Sequence, residues 1–306
     1  MRQDIYEEVT ASIVAALEAG ERPWAPRWSG MNANPMRLPE RWNGASYNGI
    51  NILLLWSAAQ RHGYAAPRWL TFKQALNLGG NVRKGEKSSR VVFAGAVERE
   101  REGEGGTTTT TRIPFLKTYA VFNAEQCEGL PADFTPAPPV SQIEASARLQ
   151  ECDTFFANTG ASVAEKDLGG AFYSPADDAI TLPPFVTFRN PAIYYATLAH
   201  ETVHWTGHKS RLDRRFDGGQ RFGGEACAME ELVAELGAAF LCAGFGIVAE
   251  TRVDHAAYVA SWLKALKSDK RAIFTAASAA SRAANYLLGL QPGAIATAPA
   301  DEMADA

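Results

Sequence analysis

The most constraining feature of the sequence is a His-Glu-x-x-His segment formed by His200, Glu201 and His204. On a helix, residues four apart lie on one face about one turn from each other, so both imidazoles can bind one metal ion. A zinc ion held there would lower the pKa of a water molecule toward neutrality, and the carboxylate of Glu201 would take its proton. The apolar run at residues 194–199 is typical of a buried helix. The segment therefore predicts a hydrolytic metal centre, with a chance match on an ordinary amphipathic helix as the alternative.

A zinc centre of this kind needs a third protein ligand from farther along the chain. His208 is the nearest candidate, but three histidines spaced by four residues climb about 12 Å along one helix and converge only if that helix breaks. Residues 229–241 are a better source, because apolar residues recur there at helical spacing while Glu231 and Glu235 stand one turn apart. Glu230 remains an alternative ligand, and a solvated helix face remains the alternative for all of these acids.

Residues 229–241 also resemble the second helix of glutamate zincins, in which a ligand glutamate is followed by alanine after three residues and by an acid after four. The resemblance implies that Glu231 is the ligand and that Ala234 is a small packing residue. It implies that Glu235 accepts a hydrogen bond from the second ring N–H of a ligand histidine and thereby fixes its tautomer.

A substrate-binding strand is predicted just upstream of the metal-binding helix. Residues 171–184 are typical of strand, turn and strand, because Pro175 and two aspartates separate two apolar arms. In zincins such a strand often binds an extended peptide at a sheet edge, and a plain structural hairpin is the alternative. Three tyrosines are candidates for stabilising an oxyanion, and the sequence does not rank them: Tyr194, Tyr195 and Tyr258.

Charge is distributed unevenly along the chain. The net charge is −4, but residues 22–90 contain eleven Lys or Arg and two acids, a local charge of +9 that leaves −13 elsewhere. A basic segment with interleaved aromatic residues favours single-stranded nucleic acid, which binds through its phosphates and its stacked bases. Core packing is the alternative for each tryptophan. The candidate DNA-binding residues are Arg22, Trp24, Arg27, Trp28, Tyr47, Arg68, Trp69, Lys73, Arg83, Lys84 and Lys87.

The length of 306 residues allows two domains. We expect an N-terminal domain over residues 1–130, a proline-rich linker over 131–140, a C-terminal domain over 141–290 and a disordered tail over 291–306. The sequence lacks an apolar run long enough for a membrane span and lacks an N-terminal signal core, and its four cysteines have no paired spacing. We therefore expect a cytoplasmic protein without a membrane partner.

Hydrophobic periodicity predicts several further elements. In the N-terminal half these are an amphipathic helix over residues 4–19, a leucine-rich helix ending near residue 62, a helix starting within 68–73, and strands over 90–94 and 115–123. The threonine-rich segment 98–112 is predicted to be a hairpin tip or a flexible loop. Helices over 258–267 and 272–290 are expected to pack either internally or against a second copy of the chain.

Several ordered blocks together resemble the ArdC family of antirestriction proteins, which occur on conjugative plasmids. These blocks are residues 22–24, 47–51, 67–75, 79–87, 119–123, 200–213, 230–241 and 260–263. The resemblance implies an α+β fold with two domains. The N-terminal one binds single-stranded DNA and is shared with some plasmid primases, and the C-terminal one is a mostly helical zincin-like metallopeptidase domain with a small sheet.

The expected function is protection of incoming mobile-element DNA from host restriction. The expected cofactor is one Zn²⁺ per chain, with Mn²⁺ or another divalent ion as the alternative, and the expected partners are single-stranded DNA and an unknown protein substrate. Two alternatives remain open. One is a regulatory metalloprotease that its DNA-binding domain localises, and the other is a non-catalytic DNA-coating protein with a structural metal.

Overall fold

A computed structural model of the chain describes residues 4–25, 37–102, 108–134, 149–216, 224–247 and 255–294. The N-terminal half contains α1 (Ile5–Glu18), β1 (Glu40–Arg41), α2 (Ile50–His62), β2 (Arg68–Leu70), α3 (Phe72–Asn77), β3 (Asn81–Val82), β4 (Ser89–Glu102), β5 (Thr108–Asn123) and β6 (Cys127–Glu128). Strands β1, β2, β5 and β4 form one sheet in that order, and β3 pairs with β6. The helices predicted over residues 4–19 and up to residue 62 are confirmed as α1 and α2.

Strands β4 and β5 form one long antiparallel hairpin, with Ser89 paired to Val121 at its base and Glu102 paired to Thr108 near its tip. The predicted strands over residues 90–94 and 115–123 are therefore both longer than expected. The threonine-rich segment is part of this hairpin, as one of the two alternatives foresaw. Residues 103–107 lie outside the described residues.

The helix predicted to start within residues 68–73 is confirmed as α3, although the first residues of that segment are not helical. Residues 68–70 form β2, and α3 begins only at Phe72. The reason is a capping box at Thr71: its hydroxyl accepts the backbone N–H of Gln74 at 3.2 Å, and the side chain of Gln74 accepts the N–H of Thr71 at 2.9 Å. This reciprocal pair fixes the first turn of a helix.

The C-terminal half contains α4 (Gln150–Asn158), β7 (Ser162–Glu165), β8 (Phe172–Ser174), β9 (Ala179–Leu182), α5 (Pro191–Thr206), α6 (Gly224–Gly244), α7 (His255–Ser268) and α8 (Ala272–Gly289). The sheet order is β7-β9-β8, with β7 parallel and β8 antiparallel to β9. The strand-turn-strand prediction for residues 171–184 is confirmed, and β8 lies at an edge. Helices α7 and α8 pack internally, α7 on α1 and α6 and α8 on α6 and α5.

The two halves share one hydrophobic core. Helix α1 packs on α7 and α2 contacts α8, while the ring of Trp56 lies 5.7 Å from that of Phe240.

The start of the expected linker is also packed, because residues Ala132–Phe134 form a short 3-10 helix and Phe134 is buried. Residues 135–148 and 295–306, which include the rest of that linker and most of the expected tail, lie outside the described residues. Among the described helices, none is long and apolar enough to cross a bilayer.

Candidate metal centre

Helix α5 presents the two histidines of the His-Glu-x-x-His segment on one buried face. The helix starts at Pro191, where the side chain of Asn190 accepts the N–H of Ile193 at 2.9 Å, a typical N-cap. It ends at Thr206, so His208 lies beyond the helix and its Nδ1 is 2.7 Å from the hydroxyl of Ser210. His208 lines the same cleft as His200 and His204 but does not belong to the donor group that those two histidines form.

Three donor groups converge between α5 and α6. The Nε2 atoms of His200 and His204 are 3.2 Å apart, and each lies 3.5 Å from one carboxylate oxygen of Glu231. These three side chains form the metal-compatible group among the described residues. Ligand atoms bound at about 2.0–2.2 Å to one tetrahedral ion are separated by about 3.3–3.6 Å. The spacing of the three groups therefore fits a single zinc-sized ion.

The charges at this cluster also favour a cation. Burial tends to raise the pKa of Glu231, but hydrogen bonds with His200 and His204 outweigh it and hold that pKa well below its ordinary value. Burial opposes a charge on His204, yet the hydrogen bonds with Glu230 and Glu231 raise its pKa to about 10. Two half-buried carboxylates thus attract positive charge, which either a proton or a divalent ion can supply.

Glu230, the alternative ligand, is engaged on the far side of His204. Its Oε1 lies 3.1 Å from His204 Nδ1, and both of its oxygens accept hydrogen bonds from Arg214 at 2.8 and 2.5 Å. Arg214 also donates to the backbone carbonyl of Val203 at 2.8 Å. Glu230 therefore orients His204 rather than joining the donor triad. The sequence analysis missed Arg214, whose only signal is its place in an arginine-rich segment after α5.

Glu235 lies on the side of His200, as expected for an orienting carboxylate. Its Oε2 is 3.9 Å from Nδ1 of His200, a distance longer than a hydrogen bond. That Nδ1 is buried without a hydrogen-bond partner in the described part of the chain. The other oxygen of Glu235 accepts hydrogen bonds from Trp24 Nε1 at 3.3 Å and Arg22 Nη1 at 3.4 Å.

Small residues on α6 allow this helix to approach α5 closely. A side chain at Gly237 would come within 2.8 Å of Val203, which lies next to His204. Ala234, expected to be a small packing residue, is fully buried. The close approach brings Glu231 within reach of both histidines.

The donor triad opens onto a cleft of about 1270 Å³. Glu201 lines this cleft beside the histidines, and edge strand β8 borders it through Phe172 and Tyr173. Of the three tyrosine candidates, Tyr258 lines the cleft. The hydroxyls of the other two are engaged elsewhere, Tyr194 with Glu165 at 3.0 Å and Tyr195 with Asp153 at 2.9 Å.

A crystal structure with the same overall fold decides the family of this chain. The metal-free antirestriction protein ArdC from the R388 plasmid matches it with a TM-score of 0.81 and 45% sequence identity, over 94% of this chain and 98% of that one. The chain belongs to the ArdC antirestriction family. The Mn(II)-bound structure of the same R388 protein matches with a TM-score of 0.77 and 44% identity over the same shares of the two chains.

Sequence comparisons agree with this membership of the ArdC family. Residues 3–122 match the model for the N-terminal domain of anti-restriction factor ArdC, and residues 150–279 match the model for a zincin-like metallopeptidase. The protein y4eC of Sinorhizobium fredii is 40% identical over 95% of this chain and 94% of that protein. DNA primase TraC of Escherichia coli is 34% identical over 95% of this chain, which spans 28% of the primase. The expected family and the α+β fold are confirmed.

In this ArdC-family fold, Arg211 anchors the β8–β9 turn to the end of α5. Its guanidinium donates to both carboxylate oxygens of Asp178, to the hydroxyl of Tyr173 at 3.3 Å and to the carbonyl of Trp205 at 2.6 Å. It also lies 3.8 Å from the centre of the Trp205 ring. Asp178 has a positive φ of 50°, so the ion pair holds a sharp turn. The position of the edge strand beside the cleft depends on this anchor.

We expect this anchor to make stability depend on pH. The hydrogen bonds from Arg211 lower the pKa of Asp178 from 3.8 to about 2. A lowered pKa means that the pair stabilises the fold above about pH 4 and that this contribution is lost as the pH falls through about 2. Asp178→Asn, which tolerates the left-handed backbone, should lower the melting temperature at pH 6 and leave it similar to that of the wild type near pH 2. A constant difference in melting temperature between pH 6 and pH 2 would contradict this assignment.

The structure divides the candidate DNA-binding residues of this ArdC-type N-terminal region into buried and exposed groups. Trp24 and Trp69 are each 2% exposed and Tyr47 is also buried, so these rings are not available for stacking with bases. Core packing, the alternative, is what the structure shows for them, and the stacking interpretation is wrong for these three. Arg27 and Trp28 lie outside the described residues.

The candidate DNA-binding arginines and lysines also divide into two groups, those held in ion pairs inside the fold and those exposed on the surface. Arg22 pairs with Glu235, and Arg68 pairs with Glu40 at 3.4 Å and with Asp133 at 2.8 Å. Four others are exposed on α3 and on the loop after β3, namely Lys73, Arg83, Lys84 and Lys87. Of these, Arg83 also pairs with Glu86 at 2.9 Å. Among the candidate cations, the exposed ones therefore lie on α3 and on the loop after β3.

An exposed aromatic residue that the site prediction missed lies beside these cations. Phe72 is 50% exposed at the start of α3, and α3 contacts β3, after which the loop with Lys84 follows. We call Phe72, Lys73, Arg83, Lys84 and Lys87 the α3 surface.

Proposed function

We propose that this ArdC-family protein binds single-stranded DNA and carries a zinc peptidase site, and that it protects incoming mobile-element DNA. The observation that carries the proposal is the convergence of His200, His204 and Glu231 beside Glu201 on one wall of an open cleft. The membership of the ArdC family and the match of residues 150–279 to a zincin-like metallopeptidase support it.

His200, His204 and Glu231 would hold one divalent ion. Two imidazoles and one carboxylate form a ligand set that suits zinc and leaves a position open for water or substrate. The existence of an Mn(II)-bound form of the R388 protein supports binding of a divalent ion. A zinc ion held there would polarise a peptide carbonyl and bring the pKa of water close to neutrality.

The chain's own residues would carry the remaining steps of peptide hydrolysis. Glu201 would act as general base, taking a proton from the attacking water and delivering it to the leaving amine. Edge strand β8 would bind an extended peptide by strand addition, which places a backbone carbonyl over the donor triad. Tyr258 would donate a hydrogen bond to the developing oxyanion, because among the tyrosine candidates it is the one that borders the cleft.

Orientation of the two histidines would come from carboxylates behind them. Glu230 lies 3.1 Å from Nδ1 of His204, and Glu235 lies on the Nδ1 side of His200. A carboxylate that accepts the second ring N–H fixes the tautomer that leaves Nε2 free for metal binding. Both Nε2 atoms face the cluster, which supports this assignment.

Single-stranded DNA would lie across the α3 surface. Four exposed cations supply attraction for phosphates, and the ring of Phe72 supplies a face for an unpaired base. This placement replaces the buried tryptophans with exposed side chains and retains Lys73, Arg83, Lys84 and Lys87 from the sequence prediction.

The DNA-binding part of the proposal predicts specific losses of affinity. In fluorescence anisotropy with the full chain and a labelled single-stranded oligonucleotide, Phe72→Ala should lose about 1–3 kcal/mol of binding free energy. Lys84→Glu should weaken binding and lower the slope of log affinity against log salt by about 0.7 for each lost phosphate contact. Arg282→Glu, which reverses an exposed charge on α8, is the matched control. Equal affinity for duplex DNA, or wild-type affinity in Phe72→Ala and Lys84→Glu, would count against the α3 surface.

A further inference from the structure

The carboxylate behind His200 is held by residues from the other half of the chain. We propose that Arg22 and Trp24 are positioning residues of the metal centre and that they set its metal affinity through Glu235. The inference rests on the metal centre proposed above. It assigns part of that centre to the N-terminal region, outside the residues 150–279 that match the zincin-like model.

The contacts form a chain from the N-terminal region to the donor triad. Trp24 Nε1 and Arg22 Nη1 donate to Oε1 of Glu235 at 3.3 and 3.4 Å. The second oxygen of Glu235 lies 3.9 Å from Nδ1 of His200, and Nε2 of His200 faces His204 and Glu231. The indole of Trp24 is buried, and the side chains of Arg22 and Glu235 are each 12% exposed. A largely desolvated carboxylate with two donors on one oxygen has its orientation fixed by them.

The fold of the N-terminal region explains how two residues more than 200 positions from Glu235 reach it. Gly20 adopts a φ of 75° and ends α1, so the chain turns back over the C-terminal helices. The side chain of Gln60 on α2 donates to the carbonyl of Pro23 at 2.9 Å. The ring of Trp24 packs edge-on against that of Trp262 at 6.0 Å, and Trp262 lines the cleft. Arg22 and Trp24 are therefore held rigidly beside α6.

The physical consequence concerns the free energy of metal binding. A histidine ligand binds best when a carboxylate behind it fixes its ring orientation and raises its basicity, and loss of such a partner typically costs about 10- to 100-fold in metal affinity. Loss of either donor would hold Glu235 less firmly in its orientation, because a hydrogen bond to its Oε1 is removed. The ring of His200 would then be less well ordered for binding.

The test compares two buried tryptophans that differ in what their indole N–H binds. Trp24→Phe retains a ring in the core but removes the donor to Glu235. Trp56→Phe is the matched control, because Trp56 is equally buried and its Nε1 donates at 2.8 Å to the carbonyl of Arg37, away from the cluster. The affinity of the full chain for Zn²⁺ is measured by competition with a chromophoric chelator. We expect Trp24→Phe and Arg22→Met to bind Zn²⁺ about 10-fold more weakly, and Trp56→Phe to match the wild type.

Two further readouts separate positioning from general stability. Arg22→Lys keeps a charged donor and should restore most of the affinity lost in Arg22→Met. With Co²⁺ in place of Zn²⁺, the visible absorption of Trp24→Phe should differ from that of the wild type, while that of Trp56→Phe should not. Wild-type Zn²⁺ affinity in both Trp24→Phe and Arg22→Met would overturn this inference alone. Failure of the wild type to bind Zn²⁺ would instead overturn the proposed metal centre, so the two failures are distinguishable.

Discussion

Replacement of Glu201 by glutamine is expected to leave metal binding unchanged and to slow peptide hydrolysis by about 10²–10⁴-fold, the usual contribution of a general base. The substitution retains the shape of a buried side chain that lines the cleft but removes its ability to accept a proton. The metal ligands proposed here are three other residues, so the Zn²⁺ affinity of Glu201→Gln should equal that of the wild type.

The measurement is the cleavage rate of a library of internally quenched peptides, with Zn²⁺ affinity determined on the same samples. Glu225→Gln is the matched control, because Glu225 is an exposed acid in the first turn of α6. Cleavage by Glu201→Gln at the wild-type rate would contradict the assignment of the base.

The same variant separates protection of DNA from proteolysis. Plasmid transfer into a restricting host is compared for wild type and Glu201→Gln. Loss of protection together with loss of hydrolysis would make cleavage of a protein substrate part of the protective mechanism. Retained protection would favour a DNA-coating protein whose metal centre supports the fold.

Replacement of Glu231 by glutamine is expected to lower the affinity for Zn²⁺ by more than about 100-fold. The carboxylate of Glu231 lies 3.5 Å from both Nε2 atoms, and a neutral amide of the same size is a poor ligand for a divalent ion. The substitution also removes the half-buried negative charge that favours a cation. Glu230 should not replace it, because Arg214 and His204 hold both of its oxygens.

Thermal unfolding with and without metal measures this loss. Zn²⁺ at about 100 times its dissociation constant should add about 2.7 kcal/mol to the free energy of unfolding of the wild type. A chelator should remove this gain, and Glu231→Gln should show neither effect, while Glu225→Gln should behave as the wild type. A full Zn²⁺-dependent rise in melting temperature in Glu231→Gln would show that the ion binds elsewhere.

The donor triad could be predicted because its pattern is mostly local. His200 and His204 are one helical turn apart, and any helix through them brings both rings to one face. A second helical pattern, in which acids interrupt an apolar segment, indicated where the third ligand lies, and the resemblance to glutamate zincins singled out Glu231. The structure adds the small residue Gly237, which lets α6 approach α5 closely enough for Glu231 to reach the two histidines.

Glu235 was expected behind the triad, but Arg214 and Trp24, which bind the two orienting carboxylates, could not be predicted because their partners are distant in sequence. Arg214 reaches Glu230 only through the packing of α5 against α6. Trp24 lies in a basic segment with prolines and other tryptophans, which is the composition of a nucleic-acid surface. An indole has an apolar ring and one polar N–H, so the same residue serves equally well in a core beside a carboxylate. The packing of α1 on α7, which brings Trp24 against Trp262, places this tryptophan in the core and not on a nucleic-acid surface.

The central claim is that His200, His204 and Glu231 bind one divalent ion at the base of the cleft. Anomalous diffraction from crystals of the full chain grown with Zn²⁺, recorded at the zinc absorption edge, tests it most directly. The predicted result is one anomalous peak within bonding distance of both Nε2 atoms and of a Glu231 oxygen. Absence of a peak at these three side chains, or a peak bound by His208 or Glu230 in place of Glu231, would contradict it.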